Sequence, residues 1–220
     1  MRRVAIYKLF FFISLAIPVA GQNRNAAFII TGIVVDEREH AIAGAKVCTT
    51  VILPMQPCGN SDQDGKFSIA LEHSGTYTLY AEQFEQGYPI ATWPFYGKLW
   101  SRLPTVTIDK TSGSDQVKIK VGPKAGRLIL TILNWGTDEP IERGDIEFCR
   151  VNEPQSCWST MTPWPKGHFE VLTPEVPFTM KFKSWQGHWV DRKAVDEAGV
   201  PVETVKVDLG GQKEMTVRLN

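Results

Sequence analysis

Four cysteines and four histidines are the side chains of this 220-residue chain with the most accessible chemistry. Cys48 and Cys58 lie ten residues apart, and Cys149 and Cys157 lie eight apart. A tetrahedral zinc site needs paired Cys-x-x-Cys spacing, which is missing. An even count of thiols in an oxidising compartment reads as disulfides, and four cysteines allow three pairings. His168 and His188, helped by a carboxylate such as Asp191, are the residues a metal-dependent enzyme would use. No pair of histidines stands at i, i+2 or i, i+4, so surface or structural histidines are expected instead. There is no Gly-x-Ser-x-Gly nucleophile elbow. Asp62-Gln-Asp64-Gly65 resembles the start of a calcium loop, but the later oxygen ligands and bidentate Glu are absent. It reads as a tight turn with Gly65 at positive φ and Asp62 capping the backbone. No catalytic residue, metal or cofactor is assigned.

The aromatic residues are the other chemical feature. Tyr88, Trp93, Phe95, Tyr96, Trp100 and Arg102 fall in a Pro- and Gly-interrupted stretch that is poor as regular strand. Aromatic faces stack on sugar rings and cations and anchor protein interfaces. These six are the candidate ligand contacts. The competing reading packs them over a sandwich edge or into a domain joint. Trp135, Trp158, Trp164, Trp185 and Trp189 populate the second half.

The elements that must position these residues are written twice. Gly44, Cys48, Phe67 and Gly87 are matched by Gly144, Cys149, Phe169 and Gly187 at offsets of 100, 101, 102 and 100. Thr105-Val-Thr-Ile-Asp109 is matched by Thr204-Val-Lys-Val-Asp208. A period near 100 exceeds any solenoid unit, so each copy reads as a domain. The repeat favours Cys48–Cys58 and Cys149–Cys157. Each bridge closes a short loop and should contribute roughly 2–3 kcal/mol.

Strand signals dominate both copies: residues 28–35, 45–51, 67–71, 76–80, 105–109 and 117–121, then 127–133, 146–151, 157–161, 168–172, 178–183, 205–209 and 215–219. Ser74-Gly75 reads as a hairpin turn, and only residues 192–198 offer a short helix. The pattern predicts two tandem seven-stranded antiparallel β-sandwiches at 22–121 and 126–220. The joint at 121–126 is short, so the two are expected to touch.

Residues 1–21 read as a signal peptide: Arg2, Arg3 and Lys8, an apolar run too short to span a bilayer, then small residues at 19–21. No further apolar run is long enough for a membrane span, so the mature chain is expected in the periplasm or outside the cell. Basic and acidic residues number 24 each, which excludes the basic surplus of a nucleic-acid binder.

Ile30-Thr-Gly32-Ile-Val-Val-Asp36, Ile42-Ala-Gly44-Ala-Lys-Val47, Asp62-Gln-Asp-Gly65-Lys-Phe67, Gly75-Thr-Tyr77-Thr-Leu79 and Gly87-Tyr88 together resemble the carboxypeptidase regulatory-like domain. The resemblance spans about residues 28–121; the second unit keeps Gly144, Gly167-His-Phe169 and Gly187 but lacks Asp-x-Asp-Gly. It implies a transthyretin-like (prealbumin-like) sandwich of the carbohydrate-binding-like folds, non-catalytic and carried by exported proteins. The expectation is therefore a binding or scaffold module that contacts a glycan or an envelope protein, not an enzyme. The alternatives are the His168/His188 metalloenzyme and a purely structural assembly component.

Overall fold

Phe28-Ile-Ile-Thr-Gly-Ile-Val-Val35 is a run of β-branched and aromatic residues, and it forms a strand over its whole length. The computed structural model describes residues 28–50, 56–90, 103–109 and 116–220. The strands of the first half are β1 Phe28–Val35, β2 Lys46–Thr49, β3 Cys58–Asn60, β4 Lys66–Leu71, β5 Gly75–Glu82, β6 Thr105–Ile108 and β7 Val117–Lys120. Those of the second half are β8 Gly126–Asn134, β9 Arg143–Arg150, β10 Glu153–Pro163, β11 His168–Thr173, β12 Phe178–Trp185, β13 Trp189–Arg192, β14 Ala194–Val195 and β15 Gln212–Leu219. Apart from one 3-10 turn at Pro165–Gly167, the described residues hold no helix.

The sheets run β4-β1-β7 and β3-β2-β5-β6, then β11-β8-β15-β14 and β10-β9-β12-β13. The second pair repeats the strand order of the first, with β13 in the place of β6 and β14 added. Within each pair the two sheets face one another across a hydrophobic cluster. Ile30, Val34, Val47, Ile69, Leu79 and Ile119 belong to the first cluster. Leu128, Leu130, Ile146, Phe148, Phe178 and Val217 belong to the second. Alternation makes this possible: in β4 the side chains of Phe67, Ile69 and Leu71 are buried while their neighbours face water.

Several expectations need correction. The sheets are not wholly antiparallel: β7 lies parallel to β1, and β15 lies parallel to β8. The second half carries eight strands rather than seven. Ser74-Gly75 does not turn a hairpin, because β4 and β5 belong to opposite sheets and the chain crosses between them there. Residues 192–198 form no helix. β13 ends at Arg192, β14 follows, and Asp196 Oδ1 accepts from the backbone N–H of Ala198 and of Val200, both at 2.9 Å, to build a turn. Segment 205–209 is no named strand, yet Val205 bridges Phe178 antiparallel, as β6 pairs with β5. The tail match therefore marks the same sheet edge twice. The Gly44 and Gly144 match does not hold conformationally. Gly44 sits at φ 68 in a turn, whereas Gly144 is inside β9.

The Asp62 turn is as the sequence indicates. Asp62 Oδ1 accepts from Asp64 N–H at 2.9 Å and from Lys66 N–H at 2.8 Å, and Gly65 has φ 76. Asp36 and Asp196 cap their turns in the same i+2, i+4 manner. In the Asp36 turn the left-handed position is Glu39, at φ 65. Its carboxylate holds Lys118 and Lys120 of β7, each at 2.8 Å, and these hydrogen bonds lower its pKa to about 2.

The halves meet at the joint. Arg127 donates to the carbonyls of Phe84 (2.8 Å) and Glu85 (3.1 Å), stacks over the Phe84 ring at 5.0 Å, and pairs with Glu170. Ala125 N–H donates to Gly87 O at 2.9 Å.

Trp164 is fully buried and packs against Gly144, where an added Cβ would stand 1.9 Å from the indole. Gly144→Ala is expected to destabilise by about 3 kcal/mol, at the upper end of overpacking costs. Urea unfolding followed by tryptophan fluorescence measures it. Each disulfide should contribute about 2.7 kcal/mol for loops of this length. Cys48→Ala with Cys58→Ala, and Cys149→Ala with Cys157→Ala, should each lower stability by that amount in the same assay.

Candidate functional site

The two bridges form as the repeat indicates. Cys48 and Cys58 face each other across β2 and β3, and Cys149 and Cys157 face each other across β9 and β10. Both pairs have Cα atoms 4.2 Å apart, close to the short separation of antiparallel neighbours. Glu147 lies beside the second bridge, but with both sulfurs oxidised the trio offers no thiolate for a metal.

His168 opens β11 and His188 sits in the β12–β13 turn, on opposite sheets. Both are exposed, and among the described residues neither joins a group of three candidate metal ligands.

Of the six candidate contacts, Trp93, Phe95, Tyr96, Trp100 and Arg102 lie outside the described residues. Tyr88 is only 4% exposed and belongs to the first core, so its ring packs instead of facing outward. Lys124 stands 5.5 Å over its face. Tyr88 also lines a cavity of about 260 Å³ at the joint, with Phe84, Ile90, Trp158 and Phe169. Glu82 lies at its wall. Burial raises the Glu82 pKa, and Lys46 at 3.7 Å offsets this only in part.

The exposed indoles are in the second half. Trp185 is 42% exposed and Trp189 is 37% exposed. They end β12 and begin β13 as a directly paired couple, with ring centroids 5.3 Å apart at 69°. The guanidinium of Arg143 stands 5.4 Å over the Trp185 ring. Register explains the grouping, since Arg143 precedes Gly144, which pairs with Ser184. One row therefore crosses β9, β12 and β13 as Arg143, Trp185, Trp189. The next outward row is Asp145, Lys183, Asp191, with Lys183 4.0 Å from Asp191 and Ser159 donating to Asp145 at 2.7 Å. The third is Glu147 and Lys181, paired at 3.0 Å. Trp135, 48% exposed, stands apart at the end of β8.

Neither Trp185 nor Trp189 is among the six candidate contacts expected from the sequence. The signal was the alternation Phe178-Thr-Met-Lys-Phe-Lys-Ser-Trp185. Phe178, Met180, Phe182 and Ser184 are buried, so Trp185 falls on the outward parity of Lys181 and Lys183.

No family model matches the chain, and no curated relative does. Several solved structures are similar. The TIE protein of Bacillus anthracis is 14% identical, with a TM-score of 0.35; the match covers 87% of this chain and 33% of that one. The shaft pilin SpaA of Lactobacillus rhamnosus GG is 7% identical, with a TM-score of 0.33, over 88% of this chain and 98% of the pilin. A DUF3823 family protein of Bacteroides ovatus is 10% identical, with a TM-score of 0.32, over 82% and 96%. At these scores no activity or partner is taken from the likeness. No helix among the described residues is long and apolar enough to cross a membrane, which says nothing of strands.

Burial of Glu82 gives a pH test. Its raised pKa means that its neutral form favours the fold fully below the ordinary value of 4.5. That contribution is lost as pH rises through the folded-state pKa. Glu82→Gln should gain stability relative to the parent between pH 4 and pH 7, measured by urea midpoints at several pH values.

Proposed function

We propose that this chain is an exported, non-catalytic contact protein. A signal peptide at 1–21 precedes two β-sandwich modules, 22–121 of the carboxypeptidase regulatory-like type and 126–220 a diverged copy. The observation that carries this reading is a directly paired couple of indoles left partly in solvent on a disulfide-bridged sheet. Trp185 and Trp189 are far more exposed than core packing needs. Tryptophan buries a large apolar area on contact and is enriched among the residues that anchor interfaces. Two disulfides per 220 residues also fit an oxidising compartment.

The partner class is a glycan or an envelope protein. In the first module we assign contact to Trp93, Phe95, Tyr96, Trp100 and Arg102, with Tyr88 as the packed root of that segment. The mature chain, immobilised and exposed to solubilised native envelope, should retain polysaccharide or a discrete protein. Retention of neither would overturn the reading. Trp93→Ala with Trp100→Ala should reduce retention at least tenfold with an unchanged melting temperature. A large fall in melting temperature would assign both rings to the core.

A further inference from the structure

From the outer face of the β10-β9-β12-β13 sheet we infer a binding site for the pyranose rings of a neutral polysaccharide, centred on Trp185 and Trp189. The inference rests on the contact reading above and adds a site in the second half and the class of its ligand.

The composition of the face selects the ligand. A protein interface of standard size buries about 800 Å² on each partner and depletes Lys, Glu and Asp from its core. Here the indole pair is flanked at successive outward positions by charge: Arg143, Asp145 and Glu147 on β9, Lys181 and Lys183 on β12, Asp191 on β13. The apolar area is two indoles wide and ends there. A sugar ring suits this arrangement. Its C–H face lies on an indole, and its hydroxyls reach donors and acceptors one outward row away, about 7 Å along the strand. The carboxylates of Asp145 and Asp191 and the ammonium of Lys183 stand in that row.

The charge of the face selects a neutral glycan. Three cations face three carboxylates, and Lys181 and Lys183 are already paired with Glu147 and Asp191. No surplus of either sign is left to attract an anionic or cationic polymer. Arg143 stands over the Trp185 ring and Trp189 packs against it edge to face, and 42% of the Trp185 surface is left in solvent.

The test is affinity electrophoresis of the mature chain in gels containing hydroxyethylcellulose, galactomannan, laminarin or polygalacturonate. Retardation is expected with at least one of the three neutral polymers and should persist in 0.5 M NaCl. Trp185→Ala with Trp189→Ala should weaken it at least tenfold, and Trp135→Ala, at an exposed indole outside this face, should leave the retardation intact. No retardation by any neutral polymer would overturn the inference. So would salt-sensitive retardation by polygalacturonate alone, or undiminished binding by the Trp185/Trp189 variant. If that variant fails to fold, N-bromosuccinimide oxidation of the parent chain decides. Protection of Trp185 and Trp189 by the retarding polymer supports the site, and equal modification with and without polymer overturns it. A chain that captures an envelope protein but passes freely through all the neutral gels removes this inference alone. One that captures nothing removes the contact reading as well.

Discussion

Each half of this molecule is closed by its last strand lying parallel to its first. β7 pairs with β1 from Gly32↔Val117 to Val35↔Lys120, and β15 pairs with β8 over eight residues, from Gln212↔Arg127 to Leu219↔Asn134. Parallel neighbours cannot be joined by a tight turn, so the intervening chain must travel elsewhere. It travels through the opposite sheet, and that route makes the sandwich. The closing strands convert β1 and β8 from edges into centres, and the inward side chains of these strands, Ile30, Val34, Leu128, Leu130 and Ile132, are wholly buried against the opposite sheet. The seam also explains Gly32: a Cβ there would stand 2.1 Å from the Val117 carbonyl and 2.6 Å from the Phe67 ring.

Contacts this distant in sequence require long loops to close before they stabilise anything. Local constraints reduce the number of arrangements to be searched. The disulfides act between sequence neighbours, fixing β3 on β2 and β10 on β9. β3 is only three residues long, and a one-residue slip would reverse the face of every side chain on it. A covalent tie in register with Cys48↔Cys58 excludes that slip. The three Asp-capped turns act likewise, each satisfying two backbone N–H groups with one carboxylate oxygen.

What was legible in the sequence was what local chemistry determines. The strand at Phe28–Val35, both bridges, the Asp62 turn and the doubling of the plan all follow from residue type and spacing over short distances. The parallel seams were not legible, because nothing in a strand's own residues names a partner some 80 residues away. Ser74-Gly75 has the composition of a hairpin turn but leads from one sheet to the other, where Tyr77 Oη donates to the His73 carbonyl at 2.8 Å. Residues 192–198 have helical composition, but the tertiary pairing of β14 with β15 prevails. The tryptophans divide by the same logic. Trp164 and Trp185 are equally hydrophobic; one is buried on Gly144, and the other sits on the outward parity of β12.

That parity connects the fold to the contact surface. The second core needs only the inward residues of β9 and β12: Ile146, Phe148, Phe178, Met180 and Phe182. The outward residues are free of that duty, so Arg143, Trp185 and Trp189 contribute little to closing the sandwich. Their backbone is nonetheless fixed. β9 and β12 pair from Phe178↔Arg150 to Ser184↔Gly144, and the disulfide ties the far end of β9 to β10. A tryptophan has two side-chain torsions, so an indole on such a sheet loses little freedom when a ligand stacks on it. The same rings on an unsupported loop would lose backbone freedom too, at about 1–2 kcal/mol per ordered residue. The rigidity built by closure and bridging therefore suits this exposed indole pair to the stacking role we propose for it.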